Sequence, residues 1–413
     1  MSFSKKIDRS SLWYLIVVFT AVSFPWSERI NSIGILLLIA HWFIDRNWFA
    51  KIKSFQFTPT TICMWAFFLL QALAIFWSKD KMTGWQSTQV KLSLFILPLL
   101  FSTENYLNRD KLRKLFLFFC ISCTISFLYC VVYSIYFNFP YGWNLVFNRM
   151  NISEGIMHPG YYSNYFAFAM VFCALELLHH KHLEKSSRYI YLFFICLFSF
   201  AIIVLASKTA LIFLFLFILY LLWYWSGILI NSLLRILLFV MLLFGTLTVL
   251  YIVPSIHNRM LDTWNNLSSV DHTISFSNST GSRIAAWQLE WKIIKPNWLL
   301  GYGTGEANGL LMQEFKQGNY ASLIEYNMHT HNQLLHIWID LGLLGVLFLL
   351  SFIGFSFSEA LQKGMKEAYW MSLLIFVNIL TDDMLEIQAG IVFFIFFLCL
   401  LLNKKEWKTN SYY

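Results

Sequence analysis

The sequence predicts an all-α polytopic membrane protein with about twelve transmembrane helices. Of its 413 residues, 58% are hydrophobic and only 13% are charged, and the mean hydropathy is +0.60. A soluble domain is nearer half apolar and a quarter charged. Apolar stretches that approach the roughly 20 residues needed to cross a hydrocarbon core recur along most of the chain. The composition therefore excludes an ordinary soluble enzyme.

The apolar stretches divide the chain into three parts. Residues 1–253 contain the first nine predicted helices, the fourth of them at 88–102 and the ninth at 229–253. Residues 333–413 contain the last three and a polar tail. Between them, residues 254–332 form a polar loop that opens with a Ser- and Asn-rich tract typical of irregular coil. The stretch that begins at Arg283 is compatible with a helix in the membrane interface, with its tryptophans at headgroup level. A glycine-rich turn region follows that helix.

The distribution of basic residues predicts the orientation of the chain. An even number of helices places both termini on one side, and most of the 30 Lys and Arg residues fall on that side, mainly in short loops. By the positive-inside rule both termini are cytoplasmic, and the loop 254–332 lies outside the cytoplasmic membrane. This bias explains the net charge of +8 without a nucleic-acid partner. All seven cysteines fall within predicted helices, so we expect packing residues and no structural disulfide.

Two histidines and an asparagine, His329, His331 and Asn332, stand where the polar loop meets the next predicted helix. A neutral imidazole can take or give a proton near neutral pH, and an imidazolium can bind an anion. The alternatives are an interfacial anchor and an H-x-H metal site. A metal would need a further ligand, from Glu325 or elsewhere, and the spacing matches no zinc enzyme motif. No metal is therefore predicted.

The helix after these residues begins with a polar face. Asn332, His336 and Asp340 are spaced four residues apart, which places them on one side of a helix. Such a face on a membrane helix normally points to the bundle interior or to a wet cavity. For His336 and Asp340 we expect interhelical hydrogen bonding rather than catalysis.

Further ionisable residues are predicted near the outer face. Arg283 heads the amphipathic stretch, and its guanidinium suits phosphate oxygens. Lys208 separates two apolar runs with almost no loop between them, and Arg149 and His158 lie in another outer loop. Each of these could contact an anionic substrate or lipid headgroups. The acidic stretch 381–386, TDDMLE, could supply a general base, orient a histidine or be a solvated helix end.

A cluster of cations and histidines on the outer face of a helical bundle suits a lipid-linked phosphate. The sequence contains no P-loop and no dinucleotide-binding fingerprint, so the energy for a transfer would have to reside in the lipid-linked donor. A membrane transporter or lipid flippase is the alternative from a different class. Transporters carry ionisable residues near the midplane, broken helices and repeated halves. Few charges are predicted at mid-depth here, which favours an enzyme.

The order of motifs in the last third of the chain resembles the O-antigen ligase and O-antigen polymerase superfamily. The matching stretches are SRIAAWQLEWKIIKPNWLLGYGTGEANGLL and, after a polar gap, HTHNQLLHIWIDLGLLGVLFLL. They contain an Arg-x-x-x-Trp pair, three alternating glycines, a His-Asn pair and a Gly-Leu-x-Gly run. These motifs are Arg283 with Trp287; Gly301, Gly303 and Gly305; His331 with Asn332; and Gly342 with Gly345.

The resemblance implies a metal-independent glycosyltransferase of the bacterial inner membrane that needs no cofactor. Such an enzyme takes a glycan from undecaprenyl diphosphate on the periplasmic side. The ligase branch passes the glycan to a sugar hydroxyl of the lipid A core, with inversion at the anomeric carbon. The implied partners are this donor, this acceptor and the membrane lipids.

The pattern of the family also implies roles for single residues. His331 acts at the transfer centre, by activating or positioning the acceptor hydroxyl, and Arg283 binds the diphosphate. Lys208 stands where relatives commonly carry an arginine, and it keeps the charge without the planar fork. Arg149 belongs to an earlier outer motif and is a further candidate for the diphosphate. Four residues are expected to support the site: His329, Asn332, His158, which replaces the asparagine of the family, and Trp287.

A polymerase that lengthens the lipid-linked glycan shares these motifs and is the nearer alternative. Polymerases more often carry two sizeable outer loops. This chain has one large predicted loop, late in the sequence between the ninth and tenth predicted helices, and small outer loops elsewhere. That arrangement favours the ligase.

Overall fold

In the computed structural model, the described residues form helices joined by short connections. The ninth predicted membrane helix, from residue 230 onward, and the first part of the polar loop lie outside the described residues. The described residues are 8–44, 48–104, 107–147, 149–153, 156–179, 184–229 and 279–402.

All regular structure in these ranges is helical, as the all-α prediction requires. The α-helices are Arg9–Ser23, Glu28–Ile44, Trp48–Lys53, Pro59–Ala74, Lys81–Val90, Ser93–Thr103, Arg109–Asn138, Trp143–Val146, Arg149–Ser153, Pro159–His179, Lys185–Leu205, Lys208–Leu229, Ser279–Ile294, Ala307–Gln317, Ala321–Glu325, Gln333–Gln362, Lys366–Thr381 and Gln388–Leu402. Short 3-10 turns occur at Ile75–Trp77, Phe139–Tyr141, Lys295–Asn297 and Met384–Glu386.

Five helical segments of the described ranges are long and apolar enough to cross a membrane. Shorter apolar helices, including Arg9–Ser23 and Gln388–Leu402, accompany them. The chain is therefore a multi-pass membrane protein, and the total of about twelve helices stays a prediction. The five segments are Pro59–Trp77, Arg109–Tyr141, Pro159–His179, Lys185–Leu205 and Gln333–Gln362.

Two helices, Pro159–His179 and Gln388–Leu402, form the centre of the bundle, and both are buried along nearly their whole length. Phenylalanines fill the space around them. The rings of Phe116 and Phe172 stack with centroids 4.0 Å apart, and the ring of Phe397 lies 5.4 Å from that of Phe116. A helix that is apolar on all sides suits this position, because neighbouring helices surround it.

The stretch 88–102, predicted as one membrane helix, is broken in two. Helix Lys81–Val90 ends at a turn, and helix Ser93–Thr103 begins after it. The turn contains Lys91, which is fully buried and forms an ion pair with Glu386 of the acidic stretch. The prediction of one helix was therefore wrong, because a buried ion pair compensates for the lysine in this apolar run.

The kinked helix, Gln333–Gln362, is interrupted at Gly342, which has φ of +66°. The glycine turn, residues 298–305, lies against this break and bonds the backbone groups that the break frees. A Cβ at Gly342 would collide with the carbonyl of Leu299, so only glycine fits. Three hydrogen bonds join the two segments: Tyr302 N–Ile339 O at 2.8 Å, Gly303 N–Asp340 O at 2.9 Å and Leu343 N–Trp298 O at 2.9 Å.

Asp340 fastens the same glycine turn through its side chain. Its carboxylate is fully buried and accepts from the backbone amides of Gly305 and Ala307 at 2.7 and 2.8 Å. Ala307 begins the helix Ala307–Gln317, so the negative charge also lies at a helix N-terminus, where it is favourable. The hydrogen-bonding role expected for Asp340 is confirmed.

Candidate active site

Two segments that are far apart in the sequence form the centre of the candidate site. The histidine segment, residues 329–332, leads into the kinked helix. The acidic turn, residues 381–386, joins the helices Lys366–Thr381 and Gln388–Leu402. Side chains of the histidine segment bond directly to the acidic turn. The fold thus brings the predicted histidines and the predicted acidic cluster together.

His331 and Asp382 form a hydrogen-bonded pair. His331 Nδ1 lies 3.1 Å from Asp382 Oδ1, and the side chains are 25% and 18% exposed, so a substrate can reach a pair that the protein holds in place. The backbone of His331 is left-handed, with φ of +45°. That conformation is uncommon for a residue with a side chain and persists where the surroundings impose it. The acidic stretch was expected to supply a general base, to orient a histidine or to be a solvated helix end. This contact corresponds to the second of these roles, because Asp382 orients His331.

Asp382 is ionised at neutral pH. Burial would raise the pKa of this carboxyl, but hydrogen bonds with the side chains of His331 and Asp383, together with the positive charge of Arg283, hold the pKa to about 2. An ionised Asp382 accepts from a protonated Nδ1 of His331. The other ring nitrogen, Nε2, is then the one that can take up a proton.

Buried polar partners hold the far end of the acidic turn. Glu386 accepts from Gln333 Nε2 at 2.8 Å and pairs with the ammonium of Lys91. His336 Nε2 lies 3.5 Å from the same carboxylate. Burial raises the pKa of Glu386, but these charges and hydrogen bonds outweigh burial and lower the pKa to about 2. The turn is therefore a fixed, charge-compensated element.

Arg283 lies beside the acidic turn. It is on the helix Ser279–Ile294, and its Nη1 donates to the carbonyl of Thr381 at 2.6 Å. Lys208 is exposed at the first position of the helix Lys208–Leu229, and the next residue, Thr209, bonds the hydroxyl of the same Thr381 at 2.8 Å. Two of the predicted diphosphate contacts therefore approach one end of the acidic turn.

The structure gives less detail for the two remaining predicted anion contacts, Arg149 and His158. Arg149 begins the short helix Arg149–Ser153, and its side chain lies outside the described part of the structure. His158 is exposed immediately before the helix Pro159–His179, and its Nδ1 accepts from the Gly160 amide at 3.2 Å. This contact gives His158 a local role at the start of that helix.

Three residues expected to support the site occupy distinct positions. Trp287 Nε1 donates to the carbonyl of Thr330 at 3.1 Å, so it fixes the histidine segment. Asn332 caps the kinked helix, since its Oδ1 accepts from the amides of Leu334 and Leu335 at 3.0 and 3.2 Å. His329 is exposed, with its ring centroid 6.5 Å from that of His331.

The sequence reasoning missed three buried polar residues around the site: Thr330, Lys91 and Glu290. Thr330 is fully buried between the two histidines, and Lys91 pairs with Glu386. Glu290 is fully buried on the helix that carries Arg283, and burial, followed by the charge of Asp383, raises its pKa to about 9. A single ionisable residue inside an apolar stretch is the signal that could have found Lys91 and Glu290.

Three side chains of the site have the chemistry of metal ligands. One ligand atom from each of His331, Asp382 and Asp383 lies within 4.8 Å of the others. The same closeness follows from the His331–Asp382 hydrogen bond and from the bond that Thr330 donates to Asp383 at 3.2 Å. Because these bonds already engage the ligand atoms, the arrangement favours a hydrogen-bonded pair over a metal centre.

The described helices form a membrane bundle in which a histidine–carboxylate pair lies beside an arginine, a combination that fits a membrane-embedded enzyme. A family model described as O-antigen ligase matches residues 192–350, a stretch that includes Lys208, Arg283 and His331. This match confirms, over those residues, the resemblance to O-antigen ligases. No curated protein matches the chain.

Proposed function

We propose that the protein is an O-antigen ligase. It moves a glycan from undecaprenyl diphosphate to a sugar hydroxyl of the lipid A core at the periplasmic face of the bacterial inner membrane, without a metal or cofactor. The observation that carries the proposal is the His331–Asp382 pair, partly exposed and next to Arg283. The family match supports it at the coarser level of a lipid-linked glycan transfer.

The geometry suggests how the acceptor is activated. Asp382 holds the proton of His331 on Nδ1, so Nε2 accepts the proton of the acceptor hydroxyl as that oxygen attacks the anomeric carbon. The bond between the anomeric carbon and the diphosphate oxygen breaks, and its electron pair leaves with the diphosphate. Attack opposite the leaving group inverts the anomeric centre. The proton on Nε2 then passes to solvent or to the released diphosphate.

Arg283 and Lys208 act on the diphosphate of the donor in the transition state. One guanidinium nitrogen of Arg283 is bonded to Thr381, which holds the planar fork in place while its other N–H groups face the diphosphate. Lys208 adds a second positive charge from the neighbouring helix end. Cations at this position stabilise the negative charge that develops on the leaving group.

One feature of the fold is shared with transporters, because the kinked helix is broken at Gly342. In transporters, the backbone groups freed by a break bind substrate or ions. Here the glycine turn bonds those groups instead, and Asp340 is bonded to the same turn. The break therefore joins the kinked helix to the glycine turn and leaves no free backbone groups there for a substrate. An enzyme remains a better interpretation than a transporter.

The experiment that tests the function is complementation of a ligase-null strain whose glycan and core the protein accepts. Wild type should restore glycan on the lipid A core, as seen on a polysaccharide gel. His331→Ala should insert equally and lower transfer by about 100-fold or more, because it removes the general base. His329→Ala is the matched control, and it should keep most activity, since His331, and not His329, bonds Asp382.

Two results would contradict the proposal. If wild type restores nothing in the ligase-null strain but lengthens single repeats in a polymerase-null strain, the protein is a polymerase. If His331→Ala transfers glycan as well as wild type, the histidine is only an interfacial anchor.

A further inference from the structure

Thr330 occupies the centre of the polar network behind the site. Its side chain is fully buried between the two exposed or half-exposed histidines of the histidine segment. Its hydroxyl oxygen lies 3.2 Å from Asp383 Oδ2 and 3.2 Å from His336 Nδ1. Its carbonyl accepts from Trp287 Nε1 at 3.1 Å. One small residue thus joins the acidic turn, the kinked helix and the helix that carries Arg283.

The chemistry of the hydroxyl fixes the direction of these bonds. A threonine hydroxyl has one hydrogen to donate and lone pairs to accept. The hydrogen goes to the carboxylate of Asp383, which only accepts when ionised, so the lone pair accepts from His336 Nδ1. The ring of His336 also faces Glu386 and Asp340, whose carboxylate oxygens lie 3.5 and 3.7 Å from Nε2.

The network ends at the pair that we place at the transfer centre. The backbone amide of Asp383 donates to Asp382 Oδ1 at 3.1 Å, and the same oxygen bonds His331 Nδ1. Thr330 therefore holds both partners of the pair: it precedes His331 in the chain, and it bonds the residue that follows Asp382. The left-handed backbone of His331 needs such external support, since it is unfavourable by itself.

We propose that Thr330 is a positioning residue for glycan transfer, because its hydroxyl fixes the acidic turn against the histidine segment and so sets the imidazole of His331 on Asp382. The inference rests on the proposed function for its effect on turnover. Its effect on the imidazole itself is independent of the substrate.

The test compares two substitutions of Thr330 with one matched control. Thr330→Val keeps the shape and removes both hydroxyl bonds, whereas Thr330→Ser keeps the hydroxyl. Thr60→Val is the control, since Thr60 is buried and its hydroxyl has no hydrogen-bond partner among the described residues. The proteins are purified in lipid nanodiscs and assayed with a lipid-linked glycan donor and lipid A-core acceptor, and their unfolding temperatures are recorded.

Thr330→Val should lower kcat by about 10- to 100-fold with the KM for the donor nearly unchanged, because a misplaced catalytic group loses turnover rather than binding. Thr330→Ser should recover most of the loss, and Thr60→Val should match wild type. In a His331→Ala background, Thr330→Val should have little further effect, because it acts through His331. Wild-type turnover in Thr330→Val, equal losses in the valine and serine variants, or additive losses in the double variant would overturn the proposal.

A substrate-free measurement separates this inference from the proposed function. Imidazole ¹⁵N spectra of histidine-labelled protein, with the His331 signals assigned by their loss in His331→Ala, should show one tautomer with the proton on Nδ1. That tautomer should give way to a mixture in Thr330→Val and persist in Thr60→Val. Unchanged signals in Thr330→Val would sink the inference even in an active ligase. A changed tautomer in a protein that transfers no glycan would sink the proposed function alone.

Discussion

Glu290 shows how a buried acid behaves at the edge of this site. Both of its carboxyl oxygens are buried and lack a hydrogen-bond partner among the described residues. Burial is the main cause that raises its pKa to about 9, and the negative charge of Asp383 adds to it. At neutral pH the residue is therefore a neutral acid behind the charged acidic turn, which is the form that costs least in an apolar setting.

We predict that Glu290→Gln makes the protein less sensitive to alkaline pH. Between the ordinary pKa of 4.5 and the folded value of about 9, the unfolded chain loses the proton while the folded protein keeps it. The free energy of unfolding therefore falls as pH rises, by at most about 1.4 kcal/mol per pH unit from this group. Glutamine cannot ionise. The unfolding temperature of the Glu290→Gln variant in detergent should therefore fall less than that of wild type between pH 5.5 and 8.5.

Glu325→Gln is the control for that measurement, because Glu325 is an exposed glutamate. It should follow the wild-type curve. Parallel curves for wild type and Glu290→Gln would show that Glu290 is ionised in the folded protein.

At the scale of single residues, the sequence identified side chains that belong to short motifs. It offered the acidic stretch as one that could orient a histidine, but not which of its residues would bond which histidine. His331 and Arg283 were predicted because the resemblance places them in ordered patterns. The bond from His331 to Asp382 crosses 51 residues of sequence, and a contact of that separation leaves no local pattern. The role of Thr330 was missed for the same reason, since both of its hydroxyl partners are set by the packing of separate helices.

At the scale of elements, the apolar runs predicted most described helices because a membrane helix is read from its length and hydropathy. They did not predict the breaks at Lys91 and Gly342. Gly342 lies within an apolar run and Lys91 near the start of one, and each break depends on a partner elsewhere in the chain: Glu386 for the lysine and the glycine turn 298–305 for the glycine. The resemblance flagged Gly342 but gave no reason for it.

We predict that Gly342→Ala greatly reduces the amount of folded protein. Its φ of +66° is strained for alanine, and the added Cβ would strike the backbone of Leu299, which cannot move without breaking the joint to the glycine turn. Gly354→Ala, in the same helix, meets no atom within 4 Å and should fold like wild type or better. Fluorescence-detection gel filtration of tagged variants measures the difference. Equal monodisperse yields would mean that the joint is not required for folding.

At the scale of the whole molecule, the orientation in the membrane is a prediction that rests on the sequence alone. It depends on the distribution of basic residues, and charge bias in short loops is visible without a structure. The kinked helix offers a direct check, since its two ends are separated by at most about 45 Å for 30 residues at 1.5 Å each.

We predict opposite accessibility for cysteines placed beside the two ends of that helix. Glu325→Cys, near the histidine segment, should react with a membrane-impermeant maleimide in cells whose outer membrane alone is permeable. Gln362→Cys, at the other end, should react only after lysis. The parent protein sets the background, because most of its native cysteines are buried. Labelling in the reverse order would place the site in the cytoplasm and exclude a periplasmic ligase.

On the proposed function, the break at Gly342 would also set the depth in the membrane at which glycan transfer takes place. From Leu343 to Gln362 the kinked helix is about 30 Å long, which equals the thickness of a hydrocarbon core. If the hydrocarbon core surrounds that part, as we propose, the part from Gln333 to Leu341 would stand above the acyl chains, in the layer of phosphates and glycerol. A lipid carrier would present its diphosphate in that same layer, so the donor would meet His331 by drifting sideways in the membrane, without leaving it.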